Sequence, residues 1–194
     1  MNSDSPSINV FDISIYRSID RGETLLNEFN IEPLHADFGA RVTGIDLSGE
    51  LPEAHLKLVT DAIDAWSFLC FPDQIMSDDI QLAFTRRLGE AEVEHVSFGR
   101  TGKTTYFGSV GNVDDKGNHK GNAHSDTRYQ SGNQLWHSDS SFRQQPSYVS
   151  IMYPYQVPGE GGNTEFVSLR AAYQRLDDPE ANEYEALSVV HDYV

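Results

Sequence analysis

Apolar positions in the first half of the chain repeat with the spacing of amphipathic helices. Residues 53–66 carry one such repeat, and its apolar face consists of Leu56, Val59, Ile63 and Trp66. A second helix is predicted to begin at Ser77, a residue type favoured at helix N-caps, and to end at the glycine at position 89. Acidic residues in its first turn and arginines in its last complement the helix dipole. Both patterns indicate helices that bury one face against a core.

Short apolar runs bounded by turn residues predict strands. Residues 31–47 indicate a strand pair, and residues 67–71 indicate a buried strand that includes Cys70. Further strand-like runs, separated by turns rich in glycine and proline, are 104–110, 134–142, 147–155 and 164–168. Two more helices are predicted to begin at Ser168 and near Pro179. Two helices followed by strands predict an α+β fold with a β-sandwich or barrel core.

The length of 194 residues is most simply accommodated in one domain. Residues 1–10 are polar and are expected to form a disordered leader, which leaves residues 11–194 as the domain. Within it, residues 111–133 are rich in Gly, Asn, Asp and His and short of apolar residues. A polar loop of this length inside a compact domain is often functional or mobile.

The strong negative charge of the chain limits its partners. It carries 30 acidic and 14 basic side chains, a formal net charge of −16. Such a surface repels phosphate backbones and anionic membranes, so neither is expected as a partner. The start of the chain lacks an export signal, which predicts a cytoplasmic protein. The single cysteine excludes a disulfide within the chain and a thiolate metal cluster. The sequence leaves the oligomeric state open, a homo-oligomer included.

A histidine and an aspartate separated by one residue form the strongest candidate site. If His137 and Asp139 lie on a strand, their side chains point to the same side. An imidazole and a carboxylate are two thirds of the 2-His-1-carboxylate set that binds Fe(II) in non-haem oxygenases. The neighbouring Leu135, Trp136 and Phe142 are expected to exclude water from this pair.

Other interpretations of these residues remain open at this point. His124 and Asp126 repeat the same spacing, but they lie in the polar loop without apolar neighbours. His137 and Asp139 could belong to a zinc hydrolase that takes a third ligand from His124 or His119. The pair could also be polar residues on the wet face of a strand in a β-sandwich binding module without catalytic activity.

Several motifs in the same order resemble a known enzyme family. They are LHADFGARVTGIDLS (34–48), FLCFPDQ (68–74), FTRRLGE (84–90), WHSDSSF (136–142) and GGNTEF (161–166). Together they resemble the Fe(II)/2-oxoglutarate-dependent dioxygenases of the taurine and 2,4-dichlorophenoxyacetate dioxygenase (TauD/TfdA) family, from about Pro33 to the end of the chain. The resemblance implies a double-stranded β-helix, or jelly roll, with helices packed outside it.

The resemblance also implies roles for individual residues. His137 and Asp139 would be iron ligands, and Thr164 would hydrogen-bond a carboxylate of 2-oxoglutarate. His95 and Asn112 lie where the family places residues that contact the primary substrate. The implied reaction hydroxylates a small organic acid, of the sulfonate or aryloxyalkanoate type, and consumes O₂ and 2-oxoglutarate with release of succinate and CO₂.

Two parts of the family pattern are missing from this chain. The family completes its site with a second histidine on a late strand and with an arginine that pairs with 2-oxoglutarate. His191, Arg170 and Arg175 come too early in the pattern for these roles. We therefore expect the missing residues to lie beyond Val194, the jelly roll to be incomplete at its C-terminal end, and this truncated chain to be inactive alone.

Overall fold

The computed structural model of the chain describes residues 29–93, 106–108, 110–112, 118–121, 124 and 135–190. The described residues fall into two compact units. The first unit contains residues 29–88 and 152–189, and the second contains the described residues of 89–151 together with residue 190. Every helix and strand of the described part lies in the first unit.

A three-stranded sheet forms the start of the first unit. Strand β1 (Asn30–Pro33) pairs antiparallel with β2 (Ala40–Thr43), and β2 pairs in parallel with β3 (Leu69–Cys70). The strand pair predicted within residues 31–47 is confirmed. Gly39 precedes β2 with a φ of +83°, a conformation that glycine adopts without steric cost.

Strand β3 is shorter than the predicted strand over residues 67–71, and Cys70 on it is exposed rather than buried. Ser67 and Asp73 on either side have left-handed backbone conformations, with φ of 62° and 57°, which do not continue a strand. Although Cys70 is exposed, atoms around its sulfur desolvate it enough to raise the pKa of the thiol. A raised pKa leaves little thiolate at neutral pH, which argues against a nucleophilic role.

The two predicted amphipathic helices are confirmed. Helix α1 (Glu53–Trp66) ends where Ser67 takes its left-handed conformation and donates its backbone N–H to the carbonyl of Ile63, at 2.7 Å. Helix α2 (Asp78–Leu88) begins after Ser77, whose hydroxyl accepts from the backbone N–H of Ile80 at 3.3 Å. Side-chain capping of an orphan N–H fixes the first turn of α2.

The hydrophobic core lies where α1 contacts β3 and α2. Its two largest fully buried side chains are Val42 on β2 and Val59 on α1. The other buried apolar residues of the first unit are Phe38, Ala40, Ile45, Leu47, Leu51, Ala62, Phe84 and Ala171. Of the apolar face predicted for α1, Val59 is fully buried, and Leu56, Ile63 and Trp66 are half-buried.

Two short helices follow in the last part of the chain. Helix α3 (Leu169–Tyr173) is capped by Ser168, whose hydroxyl accepts from the backbone N–H of Ala171 at 3.1 Å. Helix α4 (Asp178–Glu185) is capped by Asp177 and begins one residue before the predicted Pro179. Both predicted helix starts are confirmed: Ser168 is the predicted cap of α3, and Asp177 caps the helix whose start was predicted from Pro179.

The later strand-like runs do not form strands in the part of the chain that the structure describes. This holds for residues 106–108 and 110, for 135–142, and for the whole of 147–155 and 164–168. A strand needs a partner for its backbone N–H and C=O groups, and alternating sequence alone does not supply one. In the first unit, the Tyr153 hydroxyl donates to the Gln74 carbonyl at 3.3 Å and the Tyr155 hydroxyl to Asp78 Oδ1 at 2.5 Å. Here side chains, rather than a strand ladder, attach the chain.

The described part of the chain thus shows an α+β arrangement of a small sheet and four helices. No helix among the described residues has both the length and the apolar character that a membrane span requires.

One side chain joins the segments that follow β2 and β3. Gln74 Oε1 accepts from the backbone N–H of Leu47 at 2.8 Å. Its Nε2 donates to the carbonyls of Ile45 and Pro72, at 3.0 Å each. All three partners are backbone groups. The Gln74 side chain therefore connects residues 45–47 to residue 72, two segments that are not paired as strands.

Replacing Gln74 with alanine should therefore destabilise the fold. Loss of three backbone hydrogen bonds at a half-buried position is expected to lower the free energy of unfolding by about 2 to 3 kcal/mol. Urea denaturation of Gln74→Ala measures the change. Gln156→Ala, at an exposed position of the same unit, is the matched control and should cost less than about 0.5 kcal/mol. Equal unfolding midpoints for the two variants would contradict the bridging role.

Candidate metal-binding site

His137 and Asp139 lie side by side in the second unit. Nε2 of His137 is 3.3 Å from Oδ1 of Asp139. The two residues are not on a strand: a turn runs from Asp139 to Phe142, and Ser140 within it has a left-handed φ of 56°. The predicted convergence of an imidazole and a carboxylate is present, but a turn produces it rather than the alternation of a strand.

The backbone fixes the orientation of the imidazole. Nδ1 of His137 lies 2.7 Å from the carbonyl oxygen of Leu135, which can only accept, so Nδ1 carries the proton of the neutral ring. Nε2 then presents its lone pair towards Asp139. In metal-binding histidines, one ring nitrogen commonly donates to a backbone carbonyl, and this hydrogen bond orients the ring so that the other nitrogen binds the metal.

Nε2 of His137 and the carboxylate of Asp139 both carry lone pairs, so at 3.3 Å they offer two donor atoms to one cation. A nitrogen and an oxygen donor suit a divalent first-row metal without the sulfur ligands that favour softer ions. These residues therefore fit part of a metal site.

The expected apolar wall around this pair is not formed. The side chains of His137 and Asp139 are 48% and 58% exposed, and Leu135, Trp136 and Phe142 are exposed as well. The prediction that these three residues exclude water is wrong within the described part of the chain. It assumed a strand with an inner face, whereas a turn directs successive side chains outwards.

A carboxylate from a distant part of the sequence anchors the turn. Glu92 accepts hydrogen bonds from the hydroxyls of Ser140 and Ser147, and it pairs with Arg143, whose Nη2 lies 2.7 Å from Glu92 Oε1. Glu92 precedes Ser140 by 48 positions. We name these four residues the Glu92 cluster. Sequence reasoning missed it, because no spacing rule links residues so far apart.

The other predicted site residues lie in different places. Asn112, in the second unit, is exposed and accepts from the backbone N–H of Lys120 through its own carbonyl, at 2.6 Å. Thr164 is exposed and belongs to the first unit, whereas His137 and Asp139 belong to the second. His95 lies outside the described residues.

The turn before Thr164 depends on its glycines. Gly161 and Gly162 have φ of +71° and +70°, and a Cβ at Gly162 would come within 2.9 Å of the Pro158 ring. The backbone conformation and the close approach both require glycine at Gly162. The GGNTEF motif therefore has a structural reason for its glycine pair, independent of any ligand.

A third metal ligand is not found near the pair. Among the residues that the structure describes, no three His, Cys, Asp or Glu side chains form a group that could hold a metal ion. His119 and His124, both described and exposed, thus do not join His137 and Asp139 in such a group. Asp126 and His191 lie outside the described residues.

Comparison with known proteins identifies the family. The sequence model described as "Taurine catabolism dioxygenase TauD, TfdA family" matches residues 30–194. The chain belongs to the TauD/TfdA family. An alpha-ketoglutarate-dependent 2,4-dichlorophenoxyacetate dioxygenase of Cupriavidus pinatubonensis is 34% identical to this chain over 162 residues, an alignment that covers 82% of this chain and 56% of that protein.

Further TauD/TfdA relatives agree with this assignment. An (S)-phenoxypropionate/alpha-ketoglutarate-dioxygenase of Sphingobium herbicidovorans is 32% identical over 165 residues, covering 84% of this chain and 53% of that protein. Among solved structures, AAD-2 in complex with Mn(II) and N-oxalylglycine superposes with a TM-score of 0.65 at 32% identity, covering 81% of this chain and 53% of that one. The chain thus spans about half the length of these relatives.

Trp136 tests the exposure of the site in solution. In a Trp66→Phe variant Trp136 is the sole tryptophan, and it is 66% exposed. Its fluorescence emission should be red-shifted and readily quenched by acrylamide, and should change little in concentrated urea, because water already surrounds the indole. Emission that is blue-shifted and protected from acrylamide in the folded chain would contradict the exposed position and would support the apolar wall that the sequence predicts.

Proposed function

We propose that this chain is the metal-binding part of an Fe(II)- and 2-oxoglutarate-dependent dioxygenase that hydroxylates a small organic acid. Membership of the TauD/TfdA family supports this function over a zinc hydrolase and over a non-catalytic binding module. The observation that carries the proposal is the pairing of His137 Nε2 with Asp139 Oδ1, 3.3 Å apart, within the WHSDSSF motif.

In this proposal His137 and Asp139 hold the metal. When bound, Fe(II) supplies the activation of O₂ that couples oxidation of 2-oxoglutarate to hydroxylation of the substrate. The Leu135 carbonyl holds the imidazole of His137 in the orientation that leaves Nε2 free to bind. A divalent metal is consistent with the Mn(II) bound in the AAD-2 structure, and Fe(II) is the metal that the family resemblance implies.

The remaining residue roles extend the proposal. We assign Thr164 to a carboxylate of 2-oxoglutarate, and His95 and Asn112 to the primary substrate. The jelly roll is the fold that we propose for these elements, supported by the likeness to AAD-2. The single domain over residues 11–194 and the cytoplasmic location expected from the sequence belong to the same proposal.

The named relatives indicate the substrate class. Four proteins that are 30% to 34% identical to this chain, over 76% to 84% of its length, are named for 2,4-dichlorophenoxyacetate or (S)-phenoxypropionate. A sulfate ester dioxygenase of Pseudomonas putida is 27% identical over 165 residues. We therefore place an aryloxyalkanoate first and a sulfonate or sulfate ester second.

Anaerobic addition of Fe(II) and 2-oxoglutarate to the chain should produce the weak visible charge-transfer band of the metal–oxo acid chelate. The band is expected to disappear in His137→Ala and in Asp139→Ala, because each removes a donor atom from a pair with no third described partner. Absorption spectroscopy in an anaerobic cuvette measures it.

His119→Ala is the matched control for this experiment, since it removes an exposed histidine of the same unit. It should leave the band unchanged. A band that survives in His137→Ala, or that is lost equally in His119→Ala, would refute the assignment of the metal ligands.

Thr164 can be tested by removing its hydroxyl without changing its shape. Thr164→Val should weaken binding of 2-oxoglutarate to the Mn(II)-loaded chain by about 10- to 100-fold, the range for a hydrogen bond to a charged group. Thr164→Ser keeps the hydroxyl and should bind nearly as the original chain. Isothermal titration measures both, and equal affinities for the Val and Ser variants would remove Thr164 from the cofactor site.

A further inference from the structure

The Glu92 cluster connects three side chains of one short segment to a single carboxylate. Ser140 Oγ lies 3.0 Å from both carboxylate oxygens of Glu92. Ser147 donates to Oε2, and its hydroxyl is also 3.1 Å from that of Ser140. Arg143 pairs with Oε1. Because the acceptor is ionised, these hydrogen bonds belong to the stronger class.

The cluster is shielded better than the candidate ligands beside it. Side-chain exposure is 24% for Arg143 and 35% for Glu92, against 58% for Asp139. Partial burial reduces the screening of the ion pair by water and salt. The Glu92 cluster is therefore expected to restrain the turn more strongly than contacts between His137 and Asp139 do.

Ser140 transmits this attachment to Asp139, its neighbour in the chain. Ser140 has a φ of 56°, which is costly for a residue with a Cβ and needs support from its surroundings. The Glu92 carboxylate holds the Ser140 side chain, and the Ser140 carbonyl accepts from the backbone N–H of Arg143 at 3.0 Å. Fixing Ser140 in this conformation fixes the direction in which the chain leaves Asp139.

We propose that Glu92 is a positioning residue for the metal site, acting through Ser140 on the carboxylate of Asp139. The inference rests on the proposed function, in which Asp139 and His137 bind the metal. Glu92 touches neither of them in the contacts described above. It holds the turn so that the two donor atoms stay within reach of one ion, as residues behind metal ligands commonly do.

The test compares Mn(II) affinity between two variants that each remove one negative charge. Glu92→Gln keeps the size of the side chain, but its amide nitrogen cannot accept from Ser147 or Arg143. Mn(II) titration of the full chain with 2-oxoglutarate present, followed by electron paramagnetic resonance of the free ion, should show affinity weakened by about 10- to 100-fold. Glu90→Gln, exposed and two residues away, should bind as the original chain.

Serine variants separate positioning from general stability. Ser147→Ala should weaken Mn(II) binding, and Ser147→Thr, which keeps the hydroxyl, should restore it. Ser141→Ala removes an exposed hydroxyl of the same turn and should have no effect. The loss of affinity is expected while the thermal unfolding midpoint stays close to that of the original chain, whereas a purely structural role would shift the midpoint and spare the affinity of the folded fraction.

A metal-free measurement checks the turn itself. Hydrogen exchange of the Arg143 amide, which donates to the Ser140 carbonyl, should be several-fold faster in Glu92→Gln than in Glu90→Gln. Glu92→Gln binding Mn(II) as Glu90→Gln does, while Asp139→Ala fails to bind, would overturn the positioning role and leave the ligands intact. Failure of the original chain to bind Mn(II) would overturn the proposed function and this inference with it.

Discussion

The site depends on a turn that places two acceptor atoms, His137 Nε2 and Asp139 Oδ1, 3.3 Å apart. Two acceptor atoms form no hydrogen bond with each other, so other contacts set their positions. The Leu135 carbonyl fixes the orientation of the His137 ring. The Glu92 cluster holds the turn that begins at Asp139. The Leu135 carbonyl and the Glu92 cluster thus orient the two proposed metal-binding side chains.

The first unit obtains its order in a different way. Its core forms where α1 contacts β3 and α2, around Val42 and Val59. Beyond the ends of the strands, side chains rather than strand pairing satisfy backbone groups. Gln74 forms hydrogen bonds with three backbone groups in two segments. A polar side chain can supply the hydrogen-bond partner that a backbone group needs. Irregular segments can therefore be ordered without pairing with a strand.

Family membership gives this arrangement its chemical meaning. The WHSDSSF and GGNTEF motifs both lie in residues 30–194, the range that matches the TauD/TfdA family. In the structure the first motif forms a turn with two converging donors, and the second forms a turn whose Gly162 cannot carry a Cβ. Local backbone requirements thus account for the form of both motifs, and the proposed ligands account for His137, Asp139 and Thr164 within them.

The sequence by itself determined the helices, the first strand pair and the two converging residues, because these depend on near neighbours. Ser77 and Ser168 each cap a helix by accepting from the backbone N–H three residues ahead, and Val59 lies on the apolar face that its spacing predicts. The tertiary structure alone decided the rest. Residues 147–155 form a strand-like apolar run but find no strand partner in the described part of the chain. Trp136 is exposed, and Glu92 accepts from a serine 48 positions away. Strand pairing, burial and long-range hydrogen bonds need two distant segments to meet, and spacing within one segment does not record which segments do so.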